Sequence, residues 1–293
     1  MHPPEIAALR ADLRRFLPGV LIGEVLGSGA SAHMVAVDTA HSRWVAKIGK
    51  SAASLDALLH EQLALRAIRV PSIPLAVGTM LFMHDRRPVL VMTRCPGHVV
   101  STMHVGARAA SLLTSNLLTV LRSVHRRGWV HHDVKPGNVL FETHDGRVSL
   151  IDFGEASPVG EPRRTDRMVG GTPEYMSPEQ LGGEPTGPEA DVYAAGALLY
   201  ELLCGRRPFV RHSMRDLFIA KSTGTFDLVS SHEGVPVSAM DELTRRMMSA
   251  DPSARPSVAE CLESLDEFQA RGMDWTITAK HQGDASSTWK RAD

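Results

Sequence analysis

Cysteine is scarce: Cys95, Cys204 and Cys261 are an odd number, widely spaced in 293 residues. That argues against a disulfide framework or a cysteine-based zinc site and points to a reducing, cytoplasmic setting. Net charge is equally scarce, since 32 Lys and Arg against 33 Asp and Glu leave −1. Nothing overall therefore pulls the chain toward nucleic acid or anionic lipid. The 14 histidines are scattered and form no ligand cluster. No apolar run reaches the ~18 residues that a membrane helix needs, so no membrane insertion is expected. The nearest run, Val192 to Cys204, contains Glu201 and reads as a buried core helix. Met1-His2-Pro3-Pro4-Glu5 lacks the basic-then-apolar pattern of a secretory signal. Internal repeats are not apparent. What the chain does have is 43% hydrophobic residues, enough to bury a sizeable core as one large or two small domains.

The text changes character along its length. Ile6, Leu9, Leu13, Phe16 and Leu17 fall at helical spacing and stop at Pro18-Gly19, so 1–19 reads as a helical extension that covers the core. From 20 to 93 the pattern is strand-like, in Val20-Leu21-Ile22, Met34-Val35-Ala36-Val37, Trp44-Val45-Ala46-Lys47-Ile48 and Val89-Leu90-Val91-Met92. One helical stretch from Leu55 to Ile68 interrupts it and is closed by Pro71. After a connection at 94–97, residues 98–270 carry longer helical patterns at Ala107–Arg126, Asp191–Cys204, Met240–Met248 and Val258–Phe268. The tail, 271–293, is polar and unassigned. The expected class is α+β: a small β-rich lobe with one main helix, then a larger, mostly helical lobe.

The chemistry concentrates at 131–138, His-His-Asp-Val-Lys-Pro-Gly-Asn, with Asp152-Phe153-Gly154 one hairpin later. The set combines a carboxylate, an ammonium and an amide with a second carboxylate. It can take a hydroxyl proton, hold phosphate charge and ligate a hard cation, the requirements of phosphoryl transfer. Four polar residues on a surface hairpin would be the bland alternative. Upstream, Leu26-Gly27-Ser28-Gly29-Ala30-Ser31-Ala32 lies between two strands, and glycines there let backbone N–H groups approach phosphate. Taken alone it is equally a plain turn. Lys47 ends a strand and would need an anion once desolvated, for which Glu61 is better placed than Glu5, Glu24 or Asp56.

These segments resemble the eukaryotic-like, Hanks-type serine/threonine protein kinases, and the chain looks like a soluble, bacterial-type member. The resemblance rests on the catalytic run, on Trp44-Val45-Ala46-Lys47, on Asp152-Phe153-Gly154, and on Gly171-Thr172-Pro173-Glu174-Tyr175-Met176-Ser177-Pro178-Glu179. It spans roughly Leu26 to Pro256. It implies a two-lobed fold and transfer of the ATP γ-phosphoryl group to protein Ser/Thr hydroxyls, autophosphorylation included. Asp133 would orient the acceptor hydroxyl, with Lys135 on the transferring group and Thr172 touching both. Lys47, paired with Glu61, would hold the α- and β-phosphates. Asn138 and Asp152 would bind Mg²⁺, or Mn²⁺ in its place. The nucleotide would lie against Leu26, Gly27, Ser28 and Gly29. Met34 and Val45 would cover adenine from above and Leu140 from below, Met92 would gate the back, and Thr93 to Cys95 would offer hinge backbone groups. Glu179 is expected to pair with Arg255, and Asp191 to tether the catalytic-loop backbone.

Departures matter as well. Ala32 replaces a third glycine, and Met34 and Val45 are larger than the usual Val and Ala, implying a tighter nucleotide pocket. Ser177 stands for Ala. His132 replaces an arginine that in relatives clamps a phosphorylated activation-loop residue. Histidine lacks the permanent charge and the fork for that. The available loop hydroxyls are Ser157 and Thr165, the latter among Arg163, Arg164 and Arg167. Reduced dependence on loop phosphorylation is expected. The expected partners are protein substrates and a separate regulatory protein. A nucleotide-binding pseudokinase scaffold is the alternative, kept open by Ala32, Met34, Val45 and Glu155. A small-molecule phosphotransferase is disfavoured by the 171–179 string.

Overall fold

The computed structural model describes residues 3–16, 19–29, 31–78, 80–83, 85–161, 172–210, 213–226, 238–270, 277–279 and 288–289. Contacts divide the chain into two compact units, one made of Met1–Arg69 and Ile73–Cys95, the other of Val70–Ser72 and Pro96–Asp293.

The first unit opens with helix α1 (Pro3–Phe16). Its Leu13 is buried with Val35, Val37, Ala46, Ile48 and Val89, and Arg10 Nη2 donates to the Gly23 carbonyl at 2.8 Å. The helix is therefore part of this core, as the covering-extension reading expects. Strands β1 (Leu21–Ser28), β2 (Ala32–Asp38) and β3 (Arg43–Gly49) form an antiparallel meander. Helix α2 (Leu55–Ile68) occupies the span read from periodicity. It stops as Arg69 turns left-handed, φ 38°, ahead of Val70, whose helical conformation Pro71 disfavours. Strands β4 (Leu81–Phe82) and β5 (Pro88–Thr93) complete a sheet of order β1-β2-β3-β5-β4.

The second unit continues with β6 (His98–Val99), β7 (Met103–Val105), α3 (Ala107–Arg126) and β8 (Trp129–Val130). Helix α3 buries Leu113, Leu117, Leu121 and Val124, the helical stripe its sequence shows. The hairpin β9 (Val139–Phe141) and β10 (Val148–Leu150) pairs with β6, while β11 (Ser157–Pro158) pairs with β8. Helices α4 (Pro178–Gly182), α5 (Pro188–Cys204), α6 (Met214–Thr223), α7 (Ser238–Met247) and α8 (Val258–Ala270) follow. Helix α5 is buried along most of its length, as a continuous apolar run in a core helix should be. A Cβ on Gly196 would come within 2.7 Å of the Met247 Cβ, so the glycine permits the close packing of α5 on α7. The mixed α+β class is as expected.

Four details differ from the sequence reading. Helix α5 starts at Pro188 rather than Asp191, because proline suits the first helical position. Helix α4 begins at Pro178, within the 171–179 string, where no helix is expected from the sequence. Helix α6 goes unanticipated because its apolar pattern is scrambled: Lys221 is buried while Met214, Phe218 and Ile219 are exposed. In the tail, β12 (Ile277–Ala279) pairs with β7 and with β13 (Thr288–Trp289).

Candidate functional site

In the first unit, Leu26, Gly27 and Ser28 are the end of β1 and Ala32 begins β2, so the turn itself is short. Gly29 N–H closes it on the Ala32 carbonyl at 2.9 Å. Ala30 lies outside the described residues. Strand register places Gly27 opposite Met34, Met34 opposite Lys47, and Lys47 opposite Leu90. A Cβ on Gly27 would lie 2.9 Å from the Met34 methyl, so the larger Met34 is accommodated by the glycine beside it. Along the same row Lys47 Nζ meets Glu61 Oε2 at 2.7 Å, with side chains 10% and 2% exposed. Strand β3 supplies the ammonium and α2 the carboxylate. Val45 pairs with Met92, and Met92 is buried. Thr93 N–H donates to Leu75 O at 2.9 Å and Arg94 N–H to Arg43 O at 3.0 Å. Two of the amides between Thr93 and Cys95 are thereby committed within the unit, which narrows what that stretch offers a base edge.

In the second unit the run 131–138 is tied down from several directions. Asp191, fully buried in the first turn of α5, accepts His131 N–H at 2.9 Å and His132 N–H at 2.8 Å, one on each oxygen. His125 Nε2 adds a third bond at 2.8 Å. Burial alone would raise this carboxyl, yet the His125 bond and the nearby imidazoles hold it down at about 2. The expected tether is therefore present, reinforced by a histidine that the sequence reading passed over. The ring of His131 packs edge-on against Phe153, centroids 4.7 Å apart.

His132 is buried, and its backbone is left-handed, φ 66°. A non-glycine residue keeps that geometry only where its surroundings over-determine it. Here the N–H goes to Asp191, the carbonyl accepts from Gln180 Nε2 at 3.0 Å, and the ring Nε2 shares a 2.8 Å bond with Ser157 Oγ. That corrects the reading of Ser157 as an available loop hydroxyl. It is 3% exposed in β11 and bonded to the imidazole, so a phosphate has no room there. Thr165 lies outside the described residues.

Past His132 the polar groups converge on one carboxylate. Lys135 Nζ donates to Asp133 Oδ2 at 2.7 Å, and Asn138 Nδ2 donates to the same oxygen at 2.8 Å and to the Asp133 carbonyl at 2.8 Å. Ile151 N–H donates to Asn138 O at 2.9 Å, which sets Asp152 beside Asn138 at the end of β10. Asp152 is also left-handed, φ 65°. Leu140 is half-buried on β9 between Val99 and Ser149. Thr172 accepts from Tyr175 N–H at 3.1 Å through its carbonyl; among the described residues its hydroxyl is not bonded to Asp133 or Lys135.

The 172–179 segment is anchored below. Arg255 meets Glu179 with both guanidinium nitrogens, at 2.6 and 2.7 Å, and both side chains are buried. Burial would raise Glu179, but the guanidinium outweighs it and holds the carboxyl below its usual range. Ser177 and Gln180 form a capping box at α4, which positions Gln180 for His132. Tyr175 donates to Glu201, and Arg207 reaches Glu174 at 2.9 Å. Gln180, Tyr175 and Glu201 escaped sequence reasoning, although the Ser-x-x-Gln spacing at 177–180 is a capping signal that could have exposed the first.

A family model described as the protein kinase domain matches residues 21–265. The chain belongs to the protein kinase family. Among similar proteins, calcium-dependent protein kinase 24 of Arabidopsis thaliana is 36% identical over 187 residues, 59% of this chain and 31% of that protein. Calcium-dependent protein kinase 3 of Oryza sativa subsp. japonica is 35% identical over 182 residues, 59% of this chain and 32% of its own length. This kinase chain thus spans about a third of the curated relatives it matches. Among its described residues no helix is long and apolar enough to cross a membrane, and no three His, Cys, Asp or Glu cluster as a metal site.

The kinase family implies a divalent metal, and the residues present fit one. Both amide hydrogens of Asn138 are engaged by Asp133, which leaves the carbonyl Oδ1 as the atom to face a cation. With Asp152 this makes a hard-oxygen pair, suited to an ion that takes its remaining ligands from phosphate and water.

Proposed function

We propose that the chain is an ATP-dependent protein serine/threonine kinase. The observation that carries this reading is the convergence of Lys135 and Asn138 on Oδ2 of Asp133. Two donors on one oxygen orient the carboxylate, leaving Oδ1 to receive the acceptor hydroxyl. Orientation matters more than basicity at this position, because the phosphoryl transition state is loose and little proton transfer is needed early. Lys135 then lies beside the atom that attacks and can follow charge onto the transferring group. Thr172 is read as joining Asp133 and Lys135 when an acceptor is bound.

In the first unit, Lys47 would hold the α- and β-phosphates, with Glu61 keeping the ammonium charged and in place. Leu26, Gly27, Ser28 and Gly29 would line the phosphates. Met34, Val45, Met92, Thr93 and Cys95 would line the base. Mg²⁺ held by Asn138 and Asp152 would neutralise charge on the phosphate oxygens. Residues 20–93 and 98–270 serve as the two lobes, joined by 94–97. Cytoplasmic location, autophosphorylation and a regulatory partner protein belong to the same reading.

The test is transfer of the γ-phosphate to the chain itself and to a generic protein, comparing wild type with Asp133→Asn and Asp152→Asn. Loss of at least about a hundredfold in each is expected. Transfer that survives both substitutions removes the mechanism. A pseudokinase scaffold predicts nucleotide binding with no transfer by wild type.

A further inference from the structure

Lys221 is the one lysine of α6, and no solvent reaches it. Its Nζ donates to the Glu174 carbonyl at 2.8 Å and to the Met176 carbonyl at 2.5 Å. The same ammonium lies over two aromatic rings, 5.1 Å from the Tyr193 centroid and 5.4 Å from that of Phe209. Burying a charge without a carboxylate in hydrogen-bond contact is costly, and Glu179 nearby is already held by Arg255. An apolar side chain would pack on this face of α6 with Leu217 and Ala220 at no such cost. The lysine therefore serves what it touches.

It touches the carbonyls of the two residues on either side of Tyr175, Glu174 and Met176. Segment 172–177 belongs to neither a helix nor a strand, and while its Thr172 and Ser177 carbonyls accept backbone N–H groups, those of Glu174 and Met176 take side-chain donors. Lys221 supplies both from a single atom. Tyr175 is held in turn by its hydroxyl on Glu201 and its N–H on Thr172, so the lysine fixes the backbone on either side of an already anchored ring.

We infer that Lys221 is a positioning residue for the acceptor polypeptide: by holding the Glu174 and Met176 carbonyls it shapes the 172–176 segment against which a Ser/Thr-containing peptide docks. This rests on the protein-kinase reading above. The lysine touches neither nucleotide nor reacting atoms, and its effect passes through the backbone it holds. The requirement is for donors more than for charge, since a neutral amine still carries two N–H groups.

The test uses the full chain as wild type, Lys221→Met and Lys221→Gln, with dephosphorylated casein as acceptor and ATP varied independently. For Lys221→Met the KM for casein rises about tenfold or more, while the KM for ATP and kcat stay within about twofold. Lys221→Gln, which keeps N–H donors without charge, falls between Met and wild type. An unchanged casein KM in the Met variant overturns the inference. So does a parallel loss in casein KM, ATP KM and kcat, which marks a general structural role. If the Met variant does not fold, the Gln variant decides by the same criterion. Absence of transfer by wild type is a different result: it removes the kinase reading and, with it, this one.

Discussion

Two buried lysines, one in each unit, are held in opposite ways. Lys47 faces a carboxylate, Glu61, at 2.7 Å. Lys221 faces two backbone carbonyls and two aromatic rings, and burial pulls its pKa down to about 7. A carboxylate partner fixes a charge, whereas carbonyl partners fix a backbone. The first arrangement suits a group that must present positive charge to a phosphate. The second suits one whose task is to shape a loop. Arg255 stands between them: it pairs with Glu179, donates to the Ser249 and Glu189 carbonyls, and lies 4.9 Å from the same Tyr193 ring that Lys221 covers.

The contrast can be broken most severely at Lys47. Lys47→Met should reduce γ-phosphate transfer at least about a hundredfold while leaving Glu61 buried without the ammonium it faces. Adding Glu61→Gln should then restore stability without restoring turnover, as a thermal-unfolding and activity comparison of the single and double variants would reveal. Arg255→Ala should cost about 3–5 kcal/mol, because it strands a buried carboxylate, and unchanged thermal unfolding would count against the pairing.

Acid sharpens the carboxylate side. Asp191 sits at about 2 against an ordinary 3.8, so its contribution is complete above pH 4 and lost as pH falls through 2. That amounts to about 2 kcal/mol, and Asp191→Asn should flatten the stability curve in that window. Base sharpens the carbonyl side. Between pH 7 and 10.5 the unfolded chain keeps the Lys221 proton that the native chain has released. Stability should therefore rise there by up to about 1.4 kcal/mol per pH unit, and Lys221→Met should remove that rise in denaturant titrations. The smallest effect is expected at Ser157→Ala, about 1 kcal/mol for one hydroxyl bond to His132.

What was legible in the sequence follows the same division. Lys47 and Glu61, Asp133 and Asn138, and Glu179 with Arg255 are charged or hard-oxygen groups at spacings that chemistry dictates, and residue type alone narrows their partners. Helices α2 and α3 were legible because their buried residues repeat at the helical period. Lys221 was not, because its partners are backbone carbonyls, which every residue type provides. Its inward position also broke the apolar stripe that would have revealed α6. The Ser157 bond was hidden likewise: the serine reads as a loop hydroxyl until the fold makes it part of β11 and pairs that strand with β8.

That pairing puts Ser157 behind an opening step. Its hydroxyl reaches a phosphoryl donor only when β11 lifts from β8 and the imidazole lets go, a sub-global opening with its own free energy. Where reclosing outpaces transfer, the rate of any modification of Ser157 would scale with the fraction of molecules open at a given moment.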